Sequence, residues 1–206
     1  MSAQITEQAL LACIAESSWD FGNQVLYDMC RQNPDHKTDG VIIGKIWIIG
    51  RAYSAAIERR RGPGNGDVDS FYESAVAPKI RNSRIDAWFE QIRSGQQTDL
   101  ALHLETHKRV MDLFTTISGL EQRSLASKYL HFHFPDRFYI YDSRAQKAIS
   151  QLTPPVGQKL PPLRQHDYDY ARFVLRCEAL RRQLEMRTAK PLTPRHLDNL
   201  LLSFKP

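Results

Sequence analysis

The sequence predicts an all-α protein, a single compact domain of about ten helices, from three observations. Apolar residues recur at helical spacing through most of the 206 residues. No alternation of period two outlasts the short Phe138-Tyr-Ile-Tyr141 run, so no half-buried strand is expected. Proline and glycine gather in a few places, at Asn33-Pro34, Gly62 to Asp67, Pro135 and the Pro-Pro pairs of the surface connection 153–162, and punctuate the periodic segments. A hydrophobic content of 42% suffices for a buried core and argues against disorder.

In chain order, Thr6-Glu7 opens a first helix through Ile14, and a second runs from Trp19 to Arg31 until Asn33-Pro34 stops it. Thr38 or Asp39 caps a third, expected to continue through Ile46, Trp47, Ile49 and Ile57 to the basic end Glu58-Arg59-Arg60-Arg61, whose arginines suit the negative end of the helix dipole. This helix is apolar round most of its circumference. It is therefore predicted to be central, with Gly44 and Gly50 admitting a close neighbour. Arg51 and Glu58 fall on nearly one face of it, where charges are either paired structurally or turned to a pocket that Tyr53 also lines. The Gly62 to Asp67 segment reads as a plain loop, because phosphate-cradling glycine loops follow a strand and this one follows a helix. Further helices are predicted over Val68 to Lys79, Ile85 to Arg93, Thr98 to Ser118, from Tyr168 onward, and after the Thr193-Pro194 cap.

Composition narrows the function. Lys and Arg exceed Asp and Glu by 28 to 23, a net charge of +5 that suits a polyanionic partner. Cys13, Cys30 and Cys177 form no C-x-x-C pair, so neither a disulfide framework nor a cysteine-held metal is encoded, and a reducing cytoplasm fits. The amino terminus lacks the basic region and cleavage signature of a secretory signal. The longest apolar run, Val41 to Ile57, is broken by Lys45 and Arg51, whereas a membrane span needs about 20 predominantly apolar residues. His103 and His107 stand at i, i+4 with Glu105 between them. Without the H-E-x-x-H order or a third ligand they are expected on an ordinary helix surface, and no metal or cofactor is predicted.

Residues 124 to 149 carry the functional signal. Leu125, Tyr129 and Phe132 make an apolar helical face, and Ser124, Lys128 and His131 a polar one beside it. Pro135 ends that helix, the chain runs extended through Tyr141, and Asp142 caps the next helix, whose positive end favours its ionised form. A helix bearing a lysine, a Pro-marked turn, an extended link and an Asp at the next helix start resembles the core of the helix-hairpin-helix base-excision DNA glycosylases, over residues 107 to 149. The resemblance implies a DNA partner, Asp142 as catalytic carboxylate and Lys128 as nucleophile. Ile-Ser-Gly-Leu-Glu-Gln-Arg precedes Ser124 in place of that family's Gly-hydrophobic-Gly hairpin, and Lys128 stands closer to the Asp than the family lysine does.

A Schiff-base lysine needs its pKa lowered by burial and a like charge; otherwise Lys128 and His131 read as a solvated polar face. Phosphate neutralisation with base stacking asks for basic residues among aromatic ones, which nominates Arg123, His131, Arg137, Tyr139, Tyr141, Arg144 and Lys147 as nucleic-acid contacts, together with Arg59, Arg60 and Arg61. Two other readings compete. One is a non-catalytic helical module that binds nucleic acid or protein through the same surface. The other rests on Arg31 and His36, whose Arg, four residues, His spacing matches that of the helical HEPN ribonucleases.

Overall fold

The computed structural model describes residues 5–60, 67–154 and 165–204; the predicted glycine loop and most of the proline-rich connection lie outside the described residues. The chain forms α1 (Glu7–Ile14), α2 (Asp20–Gln32), α3 (Asp39–Ala52), a 3-10 helix (Ile57–Arg60), α4 (Val68–Phe71), a π-helical turn (Tyr72–Val76), α5 (Ala77–Arg81), α6 (Ile85–Ser94), α7 (Leu100–Ser118), α8 (Arg123–His133), α9 (Ser143–Leu152), α10 (Tyr168–Thr188) and α11 (Pro194–Ser203). With the continuous run from Val68 to Arg81 counted once and the 3-10 helix set apart, the described residues form ten helices and contain no strand. None is long and apolar enough to cross a membrane.

Local chemistry sets most of the boundaries. Thr6, Asp67, Asp99, Asp142, Asp167 and Thr193 each cap a helix by accepting a backbone N–H with the side chain, satisfying donors that the first turn leaves unpaired. Gly119 ends α7 at φ 79°, the left-handed position that favours glycine. The π turn precedes Pro78, which has no N–H for the Ser74 carbonyl and would crowd it in an ordinary α turn.

Two packed clusters build the core. One gathers Ile42, Ile46, Phe89, Phe114 and Tyr129 from α3, α6, α7 and α8. The other gathers Cys13, Ala145, Tyr170, Leu184 and Leu197 from α1, α9, α10 and α11. The central helix is α8, and not the 41–60 helix of the sequence reading: every residue from Leu125 to Phe132 is buried, because α2, α3 and α7 all pack on it. The expectation of a solvated polar face at Lys128 and His131 is thereby corrected. By contrast α3 exposes Trp47 and Ile48 on one side.

The third helix also ends earlier than its apolar run, at Ala52. The Ala55 N–H bonds back to the Gly50 carbonyl at 2.7 Å, Ser54 takes a left-handed φ of 53°, and the chain reverses tightly over Gly50. Arg59 and Arg60 therefore belong to a separate 3-10 helix and do not extend α3. A Cβ at Gly50 would lie 3.1 Å from the Ala56 Cα, whereas at Gly44 it would meet nothing within 4 Å, so close approach explains only the first glycine. Gly50→Ala is expected to lower stability by about 1–2 kcal/mol, and Gly44→Ala to raise it by about 0.5–1 kcal/mol through helix propensity. Thermal melts of the two variants check this; equal shifts would contradict the reversal.

Candidate functional site

Burying a lysine on the central helix demands partners, since an unpaired ammonium in apolar surroundings is very costly. Lys128 Nζ donates to the Tyr53 carbonyl at 2.8 Å and to Ser124 Oγ at 3.0 Å, and lies 4.0 Å from Asp142 Oδ2. The first partner exists because α3 stops where it does. Asp142 comes from the extended link between α8 and α9, which Ser127 Oγ fixes by accepting the Tyr141 N–H at 2.9 Å. Its Oδ1 accepts the Ala145 N–H at 2.9 Å, and its side chain remains 26% exposed. Asp142 is thus a cap whose second oxygen faces the lysine and whose side chain is partly open to solvent.

A second polar group stands beside this pair. Tyr53 Oη donates to Asn23 Oδ1 at 2.6 Å, and Arg195 Nη1 donates to Tyr53 Oη at 3.3 Å and to Asp198 Oδ2 at 2.6 Å. Asp198 is buried on α11, and burial pushes its carboxyl up to about 7 against the pull of Arg195, with the Asp142 charge adding to the rise. Asn23 Nδ2, Arg195 Nε and Asp198 Oδ1 are buried without a hydrogen-bond partner among the described residues. Such atoms are uncommon in a folded protein.

These groups border a pocket of about 970 Å³ between the two core clusters, walled by α1, α2, α3, α9 and α11. Tyr53 and Arg144, both nominated from sequence, line it. Arg51 and Glu58 do not. They form a structural ion pair at 2.8 Å, with Glu58 buried and also accepting Tyr72 Oη at 2.6 Å. The exposed Trp19 belongs to the lining; Phe21 on α2 is exposed too, and so is Trp47, which lies under the Arg51 guanidinium at 5.3 Å.

The remaining nominated contacts divide by burial. Arg144 and Lys147 are exposed one turn apart on α9, Arg59 is exposed, Arg60 closes the 3-10 helix, and Arg61 lies outside the described residues. Burial withdraws His131 and Tyr139 from any surface. His131 bonds Phe138 O at 2.8 Å and Tyr27 Oη at 2.7 Å, and Tyr139 Oη donates to Glu178 at 2.7 Å. Arg137 donates to the carbonyls of Ile92 and Gly95. Arg123 forks onto Asp167 at 2.6 and 2.9 Å and lies over the half-buried Tyr141 ring, so both are committed to packing α8 against the start of α10.

His103 and His107 are buried, not on a surface as expected. The α10 ring Tyr170 stacks on His107 at 3.5 Å, and His103 packs against Phe138. Arg31 and His36 are not brought together: Arg31 is exposed and pairs with Asp28, while His36 is buried between Asp86 and Tyr129.

Sequence reasoning missed Asn23, Arg195, Asp198 and Lys45, yet a signal was present. Asn23 shares an i, i+3, i+7 face with Leu26 and Cys30, Asp198 one with Pro194, Leu197 and Leu201, and Lys45 one with Ile42, Ile46 and Ile49. A polar residue on the apolar stripe of an amphipathic helix marks a buried polar site. No family model, curated protein or solved structure matches the chain.

Proposed function

We propose that the chain is a nucleic-acid-binding protein that acts as a base-excision enzyme, cleaving the N-glycosidic bond of a base turned out of its stack, with Asp142 as the working carboxylate. The observation that carries this reading is the convergence of Lys128 and Asp142 to 4.0 Å at the start of α9, with the Asp142 side chain partly open to solvent and Arg144 and Lys147 exposed just beyond it. Breaking the bond leaves positive charge on the sugar, and a carboxylate fixed by a cap bond is preorganised to stabilise it or to take a proton from attacking water. Lys128 is a positioning residue in this reading. Its ammonium is buried and committed to Tyr53, Ser124 and Asp142, so water, and not the lysine, is the nucleophile.

A second reading has one specific observation in its favour. In the turn before α8, the Leu120 N–H is taken by Ser118 Oγ, which also receives Gln122 Nε2, so this turn does not offer phosphate the free backbone donors of a glycine hairpin. A non-catalytic nucleic-acid- or protein-binding module would use the same exposed face.

Duplexes carrying different base lesions, tested across a salt series, separate the two. Asp142→Asn keeps the cap bond, so it is expected to cost only about 0.3–1 kcal/mol of stability, while excision falls about 10²–10⁴-fold and binding persists with its steep salt dependence. Excision by the asparagine variant at the wild-type rate would reduce Asp142 to a cap. Salt-dependent binding with no excision of any lesion would select the module.

A further inference from the structure

The pocket between the two core clusters combines features of which the base-excision reading uses only the exposed Arg144. Its walls are mostly apolar, with Val25, Ile48 and Leu202 facing one another across α2, α3 and α11. Its described lining holds two cations, Arg144 and Arg195, and no carboxylate. Arg144 donates to the Leu202 carbonyl at 3.2 Å and pairs with no carboxylate among the described residues. Asn23, in the lining, is 7% exposed; its Oδ1 accepts from Tyr53 Oη, and its Nδ2 is buried without a partner among the described residues, which is uncommon in a folded protein.

We propose that this pocket is a binding site for an amphipathic organic anion, an apolar body carrying a carboxylate. The body lies against α2, α3 and α11, where its transfer from water drives binding, and the head group neutralises Arg144. About 970 Å³ is the size of a site for a ligand of many atoms, larger than a single ion or a small polar metabolite fills. A cation is disfavoured by the two arginines. A neutral alcohol gains the apolar contact without the charge. The high folded-state pKa of Asp198 adds to the preference, because a carboxyl that is partly protonated near neutral pH leaves more of the Arg195 charge uncompensated.

Decanoate, decanol and decyltrimethylammonium, each below its aggregation concentration, test the proposal by calorimetry on the full chain without nucleic acid, so the result is independent of the base-excision reading. Decanoate is expected to bind at least about tenfold more tightly than the other two. Gly22 lines the pocket, and a Cβ there would meet nothing within 4 Å, so Gly22→Leu fills the space from α2 without disturbing the fold. This variant should melt no lower than wild type and lose decanoate binding by at least about tenfold, and Arg144→Gln should weaken decanoate but not decanol. Absence of decanoate binding, equal binding of the cationic analogue, or undiminished binding to a well-folded Gly22→Leu would each overturn the proposal.

Discussion

Between pH 7.5 and pH 5 the protein is expected to lose most of its resistance to urea. Five of the seven histidines, His36, His103, His107, His131 and His133, are held neutral by burial, with folded-state pKa values of about 4 for His36, His103 and His131, about 3 for His107, and well below 6.5 for His133. Their surroundings explain why a proton is refused. Nδ1 of His131 and of His133 donates to a backbone carbonyl, and Nδ1 of His36 faces Asp86, so each Nε2 is left as an acceptor. Those of His36 and His133 face Lys45 Nζ at 3.3 and 3.4 Å, where a second cation would be repelled. The unfolded chain takes these protons near pH 6.5, and the folded chain takes those of His36, His103, His107 and His131 only near 4 or below. The stability is therefore complete above 6.5 and is lost as pH falls through that window.

His36, His103, His107 and His131 each contribute on the order of 3 kcal/mol over the whole window and about 2 kcal/mol by pH 5, and His133 acts in the same direction. Asp198 works the other way, since its folded-state pKa of about 7 is raised above 3.8 and it favours the folded state as pH falls; it offsets roughly one imidazole. The remainder is comparable with the entire stability of a small domain, about 5–15 kcal/mol. Urea midpoints from circular dichroism at pH 7.5, 6 and 5 measure it. Equal midpoints at the two ends would show that the imidazoles are not held neutral.

Those histidines mark where the sequence was and was not legible. The stops at Asn33-Pro34 and Pro135, the Asp142 cap and the Thr193-Pro194 start are decided by residues next to them, and the chain bends there as the local chemistry requires. The end of α3 is decided otherwise. Its apolar run continues through Ala55, Ala56 and Ile57, with no proline to stop it, and only the bond from Ala55 to Gly50 and the fit against Ala56 show that the helix has ended. Periodicity identifies an apolar face but does not rank helices by depth. Hence α3, with more apolar residues, was placed at the centre that α8 occupies.

The candidate site divides in the same way. Lys128, Asp142, Tyr53 and Arg144 were legible because the first two belong to one local pattern, Tyr53 lies between the charged Arg51 and Glu58, and Arg144 follows the Asp142 cap. Their companions Asn23, Arg195 and Asp198 come from the two ends of the chain, and only tertiary packing joins them, through Tyr53. Counting basic and aromatic residues as surface contacts also misled, since a cation buried on its own carboxylate looks, in sequence, like one waiting for phosphate.

Arg123 shows this most sharply, and Arg123→Ala is expected to be among the most destabilising single substitutions, at about 3–5 kcal/mol. Its guanidinium donates to both oxygens of Asp167, whose side chain is 7% exposed, and also reaches Glu121 at 2.8 Å and Asp169 at 3.2 Å. Asp167 caps α10 through the Tyr170 N–H at 2.7 Å, so one pair ties the start of α8 to the start of α10. Burial alone would raise the Asp167 carboxyl pKa, but the Arg123 and Tyr170 bonds outweigh it and hold the carboxyl below its ordinary value. Removing the arginine leaves that carboxylate buried with its cap bond alone. Arg123→Lys keeps the charge and loses the fork, and should recover only part of the loss. Urea unfolding of the three proteins, with nucleic-acid affinity measured under conditions where all are folded, separates the roles. A clamp predicts the order wild type, lysine, alanine in stability and little change in affinity. An alanine variant that is as stable as wild type but binds nucleic acid poorly would return Arg123 to the surface role its sequence suggested.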